Sequence, residues 1–205
     1  VSAERRQESL QDVSLSVTAF SEEALQLGGI DDVSRLELLV PGLNYAFAGN
    51  DAKFNVRGAN STNTYGDNAS IVGAFVDGVY QNRASQQTRA FFDVSNVEFL
   101  RGPQGTLYGR NAIGGALNYI SNRPTSEMEG EFRAAAGNFS AREFYGFLSG
   151  PLIDDRVNGR LTFVKRDRDG VIKGQDSDQG FNSIDDQNIS LSLEWDVSED
   201  WSVYV

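Results

Sequence analysis

The sequence predicts an α+β domain followed by antiparallel strands of a membrane-barrel type. Three observations carry that expectation. Helix signals and short apolar runs crowd the first 125 residues, a period-two alternation takes over from residue 126, and no run of ~18 apolar residues offers a membrane-crossing helix.

The first elements are short. In "FSEEALQLGG" (20–29), Ser21 is placed to cap a helix, Glu22 and Glu23 suit its positive end, and Phe20 can pack onto Leu25. Gly28 and Gly29 stop it. A second short helix is expected from Asp31 or Asp32, presenting Leu36, Leu39 and Val40 and ending before Pro41. Strands follow around Lys53 to Arg57, Ile71 to Asp77 and Val94 to Leu100, with a last one near Ala116 to Ser121. Polar stretches at 58–70 and 80–90 interrupt them, so a small mixed domain closes near Pro124.

Between its last two strands lies "RGPQGTLYGRNAIGG" (101–115). Glycines can close backbone N–H groups on a phosphate, but a Walker-type loop needs Gly-Lys followed by Ser or Thr. No Lys lies between Phe99 and Met128. Gly102, Gly105, Gly109, Gly114 and Gly115 do not form a dinucleotide fingerprint either. A tight turn with positive φ accounts for only part of the pattern.

After Thr125, Phe132, Ala134 and Ala136 alternate with Glu131 and Arg133; "REFYGFLSG" (142–150) alternates more weakly. Val157, Gly159, Leu161 and Phe163 alternate with Asn158, Arg160 and Thr162. The longest run sets Ile189, Leu191, Leu193, Trp195 and Val197 against Asn188, Ser190, Ser192, Glu194 and Asp196, and Trp201, Val203 and Val205 resume it. That gives four strands and the start of a fifth. "GNFSA", "PLIDD" and "SED" are brief turns, whereas the third-to-fourth link is expected to run from roughly Asp167 to Asp186. A soluble sandwich would alternate in the same way. Brief turns at one end with a larger loop at the other, and Trp195 and Trp201 flanking a turn as an interfacial girdle, fit an outer-membrane barrel better.

Composition narrows the chemistry. A net charge of −11 argues against a nucleic-acid partner. With no Cys and no His there is no disulfide, no thiolate or imidazole metal site and no Ser-His or Cys-His catalysis. No cofactor is expected, and "VSAERRQESL" holds no apolar signal core.

Four stretches then carry a resemblance: "NVRGAN" (55–60), "VDGVY" (76–80), "VEFLRGPQGTLYG" (97–109) and "GGALNYISNRP" (114–124). In this order they resemble the plug domain of TonB-dependent outer-membrane receptors. The fold so implied is an α+β plug domain (1–125) followed by antiparallel strands of a transmembrane β-barrel (126–205), with the barrel incomplete in this chain. A barrel of roughly 22 strands leaves a wide aqueous hole that a folded plug must fill and vacate. Four or five strands cannot close one, so further strands are expected outside these 205 residues.

The resemblance also implies residues and partners. Glu98, Gly102, Pro103, Tyr108, Gly109, Gly114, Gly115 and Asn118 fall in the plug motifs. Arg57 and Arg101 match the plug arginines that latch onto acidic residues of the barrel's inner wall, or they only tie plug strands together. Val1, Ser2 and Ala3 match the tail of the segment that adds as a strand to TonB's periplasmic C-terminal domain, which an inner-membrane complex energises. Tyr65, Tyr80, Gln81, Asn82 and Arg83 are candidates by position to meet a small-molecule ligand, suited to aromatic or anionic chelates. Asn96 stands where the family often carries Arg. The expected activity is energy-coupled uptake at the bacterial outer membrane, in contact with its lipid, most often of a ferric siderophore; no catalysis is expected.

Two rivals make different predictions. A soluble β-rich binding module would bury Leu191, Leu193, Trp195 and Trp201 in a sandwich core. An enzyme using Asp154 and Asp155 would need a raised carboxyl pKa at a predicted turn. The acidic link holding Asp167, Asp169, Asp176, Asp178, Asp185 and Asp186 is expected as an extracellular loop; calcium could bind its oxygens, though it lacks an EF-hand's glycine and terminal Glu.

Overall fold

In the computed structural model, which describes residues 16–48, 51–60, 71–81, 90–109, 112–153, 156–172, 181–198 and 201–205, the chain divides into two units, Val1–Asn122 and Arg123–Val205. The first begins with strand β1 (Val17–Ser21), which leads directly into helix α1 (Glu22–Leu27). Ser21 Oγ accepts from the Ala24 amide at 3.2 Å, and Gly29, with φ 66°, lets the chain turn away.

The second expected helix is a 3₁₀ helix, Val33–Leu38, capped by Asp32 Oδ1 on the Ser34 amide at 2.8 Å. An isolated bridge from Asp32 to Ala90 precedes it and Pro41 follows it closely, so only a short, tight helix fits. Leu36 and Val40 are buried, and Leu39 packs beside them.

A three-stranded antiparallel sheet follows: β2 (Leu43–Ala48), β3 (Asp51–Val56) and β4 (Ala59–Asn60). The larger sheet takes β5 (Val72–Val76), β6 (Val79–Tyr80), β7 (Val94–Arg101) and β8 (Gly115–Ser121), in the order β1-β7-β8-β5-β6. Among the described strands, only β5 and β8 run parallel.

Both faces of this sheet are covered, which explains why β5 reads as an apolar run rather than an alternation. Val72, Ala74, Val97, Phe99, Leu117 and Tyr119 join Leu25, Ile30, Val33, Leu36 and Phe54 in one core. Phe75, Leu100 and Ala116 face the other way, onto Tyr108 and Ala112. Strands β1 and β2, and the two-residue strands β4 and β6, are additional to the sequence expectation. β1 is a five-residue edge strand, too short to display a period; "LNYAFA" does alternate, but close behind a proline.

The second unit is an antiparallel meander: β9 (Glu129–Ala136), β10 (Arg142–Ile153), β11 (Val157–Arg168), β12 (Ile184–Ser198) and β13 (Trp201–Tyr204). Leu161 pairs with Leu148 on one side and with Leu191 on the other. The acidic link is shorter than expected. β11 runs to Arg168 and β12 starts at Ile184, so Asp167, Asp185 and Asp186 are strand residues rather than loop residues. Cross-strand partners extend the ladder: Arg166 binds Asp186 at 2.8 Å and Lys165 binds Asp185. Asp169 lies just past β11, while Asp176 and Asp178, like Asp154 and Asp155, fall outside the described residues.

Candidate functional site

The glycine-rich segment folds back under its own sheet. Gly102, with φ 86°, turns the chain out of β7, and its amide donates to the Gly114 carbonyl at 3.1 Å. Pro103 is exposed at the turn, and a four-residue helix α2 (Gly105–Tyr108) follows. Gly109, with φ 75°, ends that helix. Tyr108 thereby reaches beneath the sheet: its hydroxyl accepts from Asn118 Nδ2 at 2.7 Å, and its ring meets Phe75 edge-on at 4.9 Å. At Gly115, β8 passes so close to β7 that an added Cβ would lie 2.4 Å from the Leu100 carbonyl oxygen. The segment is therefore a docked arm closing the second face of the sheet.

A carboxylate is also sealed in this sheet. Glu98 is fully buried and accepts from Asn96 Nδ2 at 2.7 Å, so the asparagine that departs from the family pattern serves as its donor. Glu22 makes a second clasp: its two oxygens accept from the Asp93 and Val94 amides at 3.2 Å each, joining α1 to the start of β7. Burial raises the Glu22 carboxyl above its ordinary value. Hydrogen bonds from those amides and Gln26 pull the other way, and the neighbouring Asp93 charge adds to the rise. The Glu22 clasp lay outside the sequence reading, because a glutamate in a first helical turn reads as a dipole partner.

The second unit has two unlike faces. Phe132, Leu148, Leu161, Ile189, Leu191, Trp195, Trp201 and Val203 all project from one side and are exposed, Leu191 at 65% and Trp201 at 73%. On the other side Ser149, Asn158, Arg160 and Arg166 are buried, Arg160 at 4%. A soluble sandwich hides the apolar face, so this distribution is the reverse of what that rival needs. From Val197 to Ile189 the apolar belt rises about 20 Å, at ~3.3 Å per residue and a tilt of ~40°. Beyond it, Lys165 and Asp185 pair on the same face, while Trp195 and Trp201 sit at the opposite end.

The polar face is stitched by charge. Arg160 binds Glu129 at 2.9 Å and lies over the Phe147 ring at 4.0 Å. Arg123 binds Glu194 at 3.2 Å and lies over Tyr204 at 4.4 Å, and the Tyr145 hydroxyl donates to Glu143 at 2.8 Å. Arg160 was visible in the sequence only as the polar partner of an alternation; its neighbours come from strands far apart in sequence.

The remaining sequence-derived residues divide as follows. Arg57 is exposed and adopts φ 52°. Arg101 donates from Nη2 to Thr18 Oγ1 at 2.8 Å, while its buried Nε makes no hydrogen bond. Tyr80 is half-buried with its ring 5.5 Å from Phe75, and Gln81 Nε2 donates to the Val79 carbonyl at 3.0 Å. Val1, Ser2, Ala3, Tyr65, Asn82 and Arg83 lie outside the described residues. Among the described residues no cluster of carboxylates is arranged to hold a metal ion.

Known proteins share these features. The TonB-dependent Receptor Plug Domain family matches residues 9–116. The pesticin receptor of Yersinia pestis is 35% identical over 161 residues, which takes in 76% of this chain and 23% of that protein. The catecholate siderophore receptor Fiu of Escherichia coli K12 is 29% identical, over 75% of this chain and 19% of its own. The crystal structure of the ferric yersiniabactin uptake receptor FyuA from Yersinia pestis superposes with a TM-score of 0.80 at 28% identity, covering 92% of this chain and 30% of that one. The ferripyoverdine receptor of Pseudomonas aeruginosa, at 18% identity and a TM-score of 0.81, shares the fold. The chain spans about a quarter or less of the length of the curated relatives it matches.

Proposed function

The chain belongs to the TonB-dependent receptors, and from that premise we propose that it is the amino-terminal part of an outer-membrane receptor for energy-coupled uptake of a ferric siderophore or similar chelate. The observation that carries this reading is the inverted second sheet, apolar where exposed and charged where buried, which suits lipid outside and an aqueous lumen inside. The alternative of a soluble binding module finds no support in that arrangement. Supporting the cargo class, three of the similar proteins are named for siderophores: catecholates, ferric yersiniabactin and ferripyoverdine.

In this reading residues 1–125 form the plug and 126–205 the first barrel strands. The ligand meets Tyr80 and Gln81, with Tyr65, Asn82 and Arg83 on the same polar stretches. Arg57 and Arg101 serve as the reversible latch to the barrel wall, and the exposure of Arg57 supports its part in that role. Val1, Ser2 and Ala3 contribute to the strand offered to TonB. The receptor works by binding and movement, without catalysis.

The test is iron-limited growth and ferric-siderophore uptake by cells carrying the full-length receptor, with and without TonB. Saturable uptake that collapses on deleting TonB or dissipating the proton gradient is the expected result. Binding and accumulation indifferent to both would refute the proposal.

A further inference from the structure

The motif "SNRP" (121–124) has no role in the reading above, yet its last residues open the second unit with a dense set of contacts. Arg123 reaches Glu194 on β12 and the Tyr204 ring on β13. Its carbonyl accepts from Arg160 Nη1 on β11 at 3.4 Å. Thr125 donates its amide to Ser149 Oγ on β10 at 2.9 Å, and its hydroxyl oxygen pairs with the same Ser149 hydroxyl at 2.9 Å. Pro124 between them is buried, and Thr125 Oγ1 also donates to the Glu127 carbonyl at 2.9 Å. Residues 123–125 thus cross the polar face as a strap touching four adjacent strands.

We propose that this strap is a mechanical anchor, which keeps the carboxyl end of β8 attached to the second sheet while load is applied at the amino-terminal end of the first unit. The proposal rests on the uptake reading for the origin of the load. Two asymmetries support it. At the loaded end, β1 is an edge strand held by a five-residue register to β7 alone, with Arg101 on its Thr18 and with Glu22 clasping the helix that follows it. At the other end β8 lies between two strands and runs through Asn122 into the strap. Fraying the β12–β13 hairpin releases the Arg123 side chain and leaves the contacts to Ser149 on β10 and Arg160 on β11.

The pins are unequal. The Arg123 side chain is 59% exposed, so its pair with Glu194 is the weaker attachment in water. Ser149 is 1% exposed and Arg160 4%, so the contacts of Thr125 and of the Arg123 carbonyl are shielded and carry more of the load.

Single-molecule pulling on the full-length receptor in a lipid bilayer, with the handle ahead of residue 16, tests this. The expected trace has an early rupture for β1 and a terminal, strongest rupture once the first unit is extended. Combining Ser149→Ala with Thr125→Val should lower the terminal force by about half and leave the early one unchanged, and Arg123→Gln should lower it less. As a check independent of pulling, exchange of the Thr125 amide should quicken roughly tenfold in Ser149→Ala while β11 amides stay protected. An unchanged terminal force in the double variant, or release of residues 123–125 together with β1, would overturn the anchor. If the wild-type receptor shows no uptake while the rupture pattern holds, the uptake reading fails and the anchor stands.

Discussion

A methyl group on Gly115 has nowhere to go, since the nearest atom is a backbone carbonyl oxygen of β7 rather than a side chain that could swing aside. Gly115→Ala is therefore expected to cost about 2 kcal/mol, seen as a lower Tm of the full-length receptor's first unit. Glu22 makes a pH prediction. Its carboxyl is raised in the folded state, so that state holds more protons than the unfolded chain between the ordinary carboxylate value and the raised one. Stability should fall as pH climbs through that window, and Glu22→Gln should flatten this dependence in denaturant titrations run at several pH values. At this scale the sequence was readable where a residue acts on its own neighbours: Ser21 caps, Gly28 and Gly29 stop, and Asp32 starts a turn. It was silent where a residue acts across the fold, because nothing near Glu22 announces the amides of Asp93 and Val94, more than seventy positions away.

Neighbouring residues of one strand should answer mutation with opposite magnitudes. On β12, Leu191 projects from the exposed apolar face and Ser190 from the other. Leu191→Arg is expected to cost roughly 2–4 kcal/mol for folding into lipid vesicles, and Ser190→Arg much less. Equal losses, or a larger loss at Ser190, would argue for a sheet packed against protein on its apolar side. Period two made this element legible from sequence, since Ile189 to Val197 alternates without a break. What it could not supply was the strand ends: Asp167, Asp185 and Asp186 look like loop residues until Lys165 and Arg166 are placed opposite them.

For the whole molecule, the belt predicts where the receptor sits. Trp195 and Trp201 mark one edge, so their fluorescence in reconstituted vesicles should be quenched strongly by lipids brominated near the headgroup and weakly by lipids brominated near the chain ends. Deep quenching of both would move the belt. The change of texture after Thr125 was readable in the sequence, and the glycine segment between Arg101 and Gly115 was among the four stretches that carried the family resemblance. Its physical purpose was not readable, because the arm's target, Asn118 with Phe75, is set by a parallel pairing of β5 and β8 that no local pattern encodes.

The same alternation has a consequence during biogenesis. From Ile189 to Val197, β12 carries its oily side chains on every second residue, with Ser, Glu or Asp between, and no described helix is long and apolar enough to cross a bilayer. A secretory channel that sorts nascent chain by continuous greasiness meets no such run along this strand, so what the polypeptide offers to lipid is a folded face rather than a single segment. Its affinity for lipid emerges only later, when neighbouring strands align and the scattered oily residues become one surface.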